Sequence, residues 1–500
     1  MSPTVSEIHP REFWNSHRKS KLILYKPCPD NNEHKKISNL VQVLQSCRSY
    51  AIASVSAIHF YLIILSFLRS ILANLESNSF LIRYLRTDIF LPTSLYVVSS
   101  YRDSPNQSVE TLYRWKQIDY EFPSPRAKQQ AIQNGQYIQL NVIPLGIERW
   151  GERIFVSTPR WKRGVPATLS TLPVVAQEES PPLKPYPNWD WHTADNCTGF
   201  TSVFRMNIDH CGIMWVLDFG QVEAFETPRQ LCPPSLFAID LATDTVKARY
   251  PIPSEYVLQN SLITNLVVDS RDAQCRDLHV YIADAWRFGL IVFRVSDAAF
   301  WRFAHYSFYP EPLLSNYTLH GLNYQWSDGL FGMSLGKVIN GDRLLYYHAM
   351  SSSLEFVVST SVIRDPTRVS NAVSEFRLLG ESRGANGQVS AAAVDRNGIM
   401  FFNLVSQDSI GCWDTRKPYK NANICIVAQN NVSLVYPNDL RIDQEIPQYV
   451  WIISNKLPMY ALNLINPNEY NYRVMFLDPL HAVKNNICHS QNNFFSDYYD

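Results

Sequence analysis

The sequence predicts an all-β fold, a six-bladed β-propeller, preceded by a segment of different character that carries one hydrophobic helix. Three observations lead there. From about Leu112 onward the chain consists of short β-rich runs broken by Asp, Gly and Pro. Six of these runs repeat one pattern, an apolar strand, a tight polar turn and a second strand rich in aromatic and branched residues. No amphipathic helices of 10–15 residues alternate with them, which argues against a parallel α/β sheet.

The repeats are clearest in SVFRMNID-HCG-IMWVLDFG (Ser202–Gly220) and SAAAVD-RNG-IMFFNLV (Ser390–Val405). Looser copies run over Pro144–Trp161, Asn265–Asp284, Phe331–His348 and Asp439–Ser454. Their turns fall near Trp150, Asp209, Asp272, Asn340, Arg396 and Gln444, roughly 50–70 residues apart, enough for a four-stranded unit each. In the D-x-x-G turns the Asp side chain caps the turn and Gly accepts positive φ. Radial repetition of small antiparallel sheets fits this pattern, with a pair of β-sandwiches as the alternative. Asp209, Asp395 and Asp443 stand at equivalent turns and are therefore read as structural.

Before the repeats the composition changes. Residues 1–48 are basic and read as disordered; residues 49–68, SYAIASVSAIHFYLIILSFL, form a signal- or anchor-like hydrophobic helix. As a helix its twenty residues span ~30 Å, one hydrocarbon core. Eight Lys/Arg precede it, so the positive-inside rule orients the N-terminus to the cytosol and the rest outside. Four readings stay open: a signal that directs secretion, a type II membrane anchor, a wrongly joined exon, since no methionine follows Met1 until Met206, or a buried helix of a soluble protein. Residues 69–109 read as a linker, 110–488 as the propeller and 489–500 as a C-terminal tail.

Composition narrows the partners. The 500 residues carry 45 basic and 45 acidic side chains, so no basic surplus exists to neutralise nucleic-acid phosphates. Membrane contact is expected only through residues 49–68, if they are retained. Four N-x-[ST] sequons, at Asn106, Asn196, Asn316 and Asn431, all lie beyond residue 100. With scattered cysteines they point to a secreted, disulfide-bonded glycoprotein. None of the nine cysteines forms a C-x-x-C pair, and no metal site or cofactor is expected. Oligomeric state is not legible.

No G-x-S-x-G, H-E-x-x-H, P-loop or dinucleotide fingerprint is present, so the catalytic residues stay unassigned. His192 and His320 are weak general-base candidates. The aromatic runs WDW (Trp189–Trp191), WVLDFG and FYPEP could stack on a planar ligand, although strand aromatics more often pack between blades.

Several of these runs, taken in order, resemble the yellow/major royal jelly protein family of insects. The resemblance rests on LYRWKQIDYEFPSP, PLGIERWGERIFVSTPRWKRGVPATL, PPLKPYPNWDWH, TSVFRMNIDHCGIMWVLDFG, LCPPSLFAIDLATD, NYQWSDGLFGMSL, CWDTRKPY, WIISNKLP and NEYNYRV, and it covers residues 110–488. It implies a secreted six-bladed propeller of the insect cuticle pigmentation and melanin pathway, holding a small aromatic amine, catechol or indole-like ligand in its channel. A dopachrome-converting isomerase or decarboxylase, and a structural cuticle or eggshell matrix protein, are the alternatives it leaves open.

Carried over by motif, the family's amine site falls on Phe204, Asn438, Asn455 and Leu457. Asn455 matches the amine-binding relatives. Phe204 lacks a phenolic hydroxyl, Asn438 replaces a small hydroxyl residue, and Leu457 replaces an aromatic. Loss of an aromatic wall weakens cation–π contact by ~0.5–2 kcal/mol. Against the family runs, Cys197, Cys211, Cys232, Cys275, Cys412 and Cys488 are the disulfide candidates, and Cys425 is expected to be unpaired.

Overall fold

Alternating apolar residues give each of the six repeats one four-stranded antiparallel sheet, and these sheets stand around a common axis in the computed structural model. The structure describes residues 108–193 and 197–489. The innermost strands are Ile147–Trp150, Val203–Ile208, Ile263–Ser270, Leu330–Leu335, Ala392–Val394 and Pro437–Ile442. Each touches the innermost strand of the next blade, and the last touches the first, so the ring is closed. The expected hydrophobic helix, the linker before Ser108 and the tail after His489 lie outside the described residues.

All six turns read from the sequence join an innermost strand to its neighbour. The carboxylates at three of them do the capping. Asp209 accepts from the Cys211 and Ile213 amides and from Trp215 Nε1 at 3.0, 3.0 and 3.1 Å. Asp395 accepts from the Asn397 and Ile399 amides, and Asp443 from the Tyr449 amide and Trp451 Nε1.

The ring is closed by both ends of the propeller. Blade six takes its three inner strands from the C-terminal side, and its outermost strand, Val109–Trp115, pairs antiparallel with Tyr472–Leu477. Apolar clusters fill the spaces between consecutive blades. Trp215, Leu217 and Leu236 of blade two meet Ile263, Val280 and Phe293 of blade three, for example. The seam between blades six and one also carries polar clasps: Ile147 N–H to Asp439, Arg149 to Asp443 and Gly151 N–H to Glu445.

Disulfides join Cys197 to Cys232, Cys211 to Cys275 and Cys412 to Cys488. Cys425, expected to be the unpaired thiol, is also disulfide-bonded, with a partner outside the described residues. The six cysteines in family-like runs pair among themselves, as expected, and only the expectation for Cys425 is corrected. The Cys211–Cys275 bridge ties the first hairpin of blade two to that of blade three across 64 residues. Replacing both with Ser is expected to cost about 2–4 kcal/mol, read as a lower urea midpoint at unchanged slope.

Candidate functional site

Because the six innermost strands run in the same direction, their N-terminal ends share one mouth of the channel. Residues from all six blades converge there on a cavity of about 90 Å³. Its walls are aromatic. Trp161 sits edge-on to Phe204 and to Phe225, with ring centroids 5.3 and 5.2 Å apart, and Phe331 lies 6.3 Å beyond Phe204. Trp326 and Tyr436, 6.4 Å apart, face them from the other side, and Trp286, 47% exposed, stands where the cavity meets solvent.

One carboxylate enters this apolar space. Asp328 follows Trp326 at the end of a small hairpin, Asn316–Leu319 with Leu322–Gln325. Its amide donates to Ser351 Oγ at 3.2 Å and its carbonyl accepts the Ser351 amide at 3.0 Å. The next residue must be Gly329: a Cβ there would lie 2.3 Å from the Phe288 ring and 2.4 Å from the Phe308 carbonyl. Asp328 Oδ1 accepts from Trp286 Nε1 at 2.8 Å. Burial pushes its carboxyl up to about 6, a rise that the Trp286 hydrogen bond only partly offsets. Such a group exchanges its proton near neutral pH.

Tyr436 is the second notable group. It is buried, its phenol is pushed well above the ordinary value by burial, and Asp328 adds to that rise. Its φ of 51° is left-handed, unusual for a bulky residue. The Tyr436 amide donates to Asp408 Oδ1 at 3.3 Å, and the other Asp408 oxygen pairs with His320 Nε2 at 2.6 Å. His320 therefore braces the backbone of Tyr436 and does not line the cavity. His192 does not line it either: it accepts from the Thr168 amide, and burial depresses it to about 3, so it stays neutral.

Of the four positions carried over by motif, Phe204, Asn438 and Leu457 line the cavity. Asn455 does not; its Nδ2 donates to the Pro144 carbonyl and its Oδ1 accepts the Leu457 amide, which fixes the start of the helix Leu457–Ala461. The WDW run packs elsewhere, Trp189 on Phe122 and Trp191 on Phe200. Sequence reasoning missed Asp328, Tyr436, Trp286 and Trp326. A carboxylate in W-S-D-G reads like any turn Asp, and only the ring brings it to residues 42 and 108 positions away. Among the sequons, Asn316 and Asn431 are exposed, whereas Asn106 and Asn196 lie outside the described residues.

The lining contains one carboxylate and no basic side chain. It suits a planar ring with a positively polarised nitrogen, since π faces and an anion both favour that charge. Leu457→Phe, which adds a wall, is expected to tighten dopamine binding about 2–30-fold, the equivalent of ~0.5–2 kcal/mol, measured by calorimetry.

Residues 201–488 match the family described as major royal jelly protein. The chain belongs to the yellow/major royal jelly protein family. It is 40% identical over 399 residues to a dopaminechrome tautomerase of Drosophila melanogaster, covering 78% of this chain and 86% of that protein. It is 37% identical over 410 residues to Protein yellow of Drosophila subobscura, covering 80% and 72%. Among solved structures, a virginiamycin B lyase from Staphylococcus aureus aligns with a TM-score of 0.36 at 11% identity, over 67% of this chain and 95% of that one. Among the described residues no helix is long and apolar enough to cross a membrane.

Proposed function

We propose that this chain is a secreted tautomerase of the insect pigmentation pathway that takes a small catecholamine-derived quinone, an aminochrome, into the aromatic cavity. The observation that carries the reading is the placement of Asp328, a carboxyl poised near neutrality, in an apolar, ring-lined cavity. The similarity to a dopaminechrome tautomerase supports it. Three disulfides and exposed sequons support an extracellular location.

The chemistry asked of the site is a proton shift. Ionised Asp328 removes a proton from a saturated carbon of the five-membered ring of the aminochrome, the electron pair moves into the quinone ring, and one quinone oxygen takes up a proton to become a hydroxyl. A second such shift, from the neighbouring saturated carbon to the other oxygen, completes the dihydroxyindole. Atoms and electrons balance within one molecule, so no cofactor is required. Tyr436, in the electrostatic field of Asp328, is placed to protonate or hold that oxygen. The aromatic walls fix the plane of the ring, and their exclusion of water keeps Asp328 basic.

The test follows the visible absorbance of dopaminechrome with and without the protein between pH 5 and 8. Acceleration over the spontaneous reaction, rising through about pH 6, is the expected result. No acceleration, with dopamine still bound by calorimetry, would leave a non-catalytic amine-binding protein. Neither activity nor binding would point to the structural matrix role.

A further inference from the structure

The other mouth of the channel, at the C-terminal ends of the innermost strands, holds a second and larger cavity of about 220 Å³. Its character is opposite to the first. Its lining includes Asn207, Ser270, Ser334, Arg343, Arg441 and Gln444, and its only carboxylate is Asp209. By volume it has room for about seven waters, at ~30 Å³ each, or a compact polar solute.

We propose that this cavity is a binding site for a small oxyanion, of the carboxylate or phosphate class, separate from the aromatic cavity. One polar group on its wall is buried and unanswered: Ser334 Oγ, in a residue 3% exposed, has no hydrogen-bond partner. Arg441 Nε, in a residue 5% exposed, makes no hydrogen bond and has only ion-pair contacts, 3.5 Å from Glu148 and 3.8 Å from Asp439. Unmet buried donors of this kind cost free energy unless a ligand or water meets them. Arg343 reaches the same wall: Nε donates to the Gly336 carbonyl at 2.8 Å, and Nη1 lies 3.4 Å from Asp269.

Charge selects an anion over a cation. Asp209 is spent on two amides and an indole, so it offers nothing to a metal. Asp269 is shared among Arg271, Tyr281 and Arg343. Asp439 is held by Arg205 at 2.7 Å. Glu148, 3.5 Å from Arg441 and bonded by Asn207, is pushed up to about 8 by burial, so it is largely neutral at pH 7. The lining itself carries two guanidinium groups, Arg343 and Arg441, against one carboxylate, Asp209, and an anion restores the balance. Above about pH 8 Glu148 ionises beside Arg441, with Asp439 and Asp443 as the other anions near it, and anion binding weakens.

The test titrates the full chain with inorganic phosphate and with malonate at fixed ionic strength, read by calorimetry and thermal shift. Millimolar or tighter binding is expected, weaker at pH 9 than at pH 7, and the tighter of the two probes identifies the class. Arg343→Gln is expected to weaken binding about tenfold, and Ser334→Asp to abolish it by placing a negative charge on the wall. Near-UV circular dichroism checks that both variants are folded; Arg343→Gln, at a partly exposed position, carries the test if Ser334→Asp is not. No heat and no thermal shift up to tens of millimolar, or equal affinity in folded variants and wild type, overturns the proposal.

Discussion

Asp328→Asn is expected to reduce aminochrome turnover by about 10²–10⁴-fold and at the same time to make the protein more stable. The two effects share one cause. A carboxyl pushed up to about 6 is a carboxylate that the fold disfavours. Its folded value lies above the unfolded value of ~3.9, so the destabilisation is absent below pH 4 and complete above pH 6. Discounted for solvent at the cavity mouth, the gain on removing the charge is about 1–2 kcal/mol at pH 7 and close to nothing at pH 4. Thermal unfolding of both proteins at the two pH values checks this. Turnover measured against pH checks the other half: wild type rises through about pH 6, and the variant is flat. A variant that loses stability at pH 7 and keeps its activity would remove Asp328 from the mechanism. Instability retained where chemistry needs it is a common signature of a working site.

The largest loss of stability is expected at the axis. Asp439 is buried, receives Arg205 at 2.7 Å and also accepts the amide of Ile147, joining blades six, two and one. Burial draws Arg205 down to about 10 even with Asp439 beside it. Asp439→Ala leaves that guanidinium without its counterion and is expected to cost about 3–5 kcal/mol. Arg205 also donates to the Asn438 carbonyl and lies 5.3 Å from the Phe331 ring, so the loss reaches the floor of the aromatic cavity. The double variant Arg205→Met/Asp439→Leu is expected to recover much of the loss, because two apolar side chains leave no charge unpaired. Urea unfolding of the single and double variants measures both. A single variant within 1 kcal/mol of wild type would show that the pair does not clasp the ring.

What the sequence carried was local. Strand alternation and the Asp-x-x-Gly turns made six hairpins readable, because an Asp such as Asp209 or Asp395 caps residues within four positions of itself. Phe204, Asn438 and Leu457 were reached only through resemblance, and Asn455 came with them although its side chain holds Pro144 and Leu457. Asp328 was hidden because its value depends on burial, and its burial comes from Trp286, Trp326 and Tyr436 on separate blades. His320 looked catalytic for the opposite reason: an isolated His in a turn-rich segment gives no sign that Asp408, 88 residues on, will engage it. Ring closure creates these neighbours, and ring closure has no local signal.

The strand Val109–Trp115 has a temporal consequence. It leaves the ribosome before any of the blades, yet its partner, Tyr472–Leu477, is made more than 350 residues later. Joining such distant segments carries a large loop-closure entropy, and the contact comes late in folding. Until then five blades can stack while the sixth presents a bare strand edge, a template for pairing with another chain. The nascent protein therefore passes through an interval in which aggregation competes with closure, and that interval lengthens as translation slows.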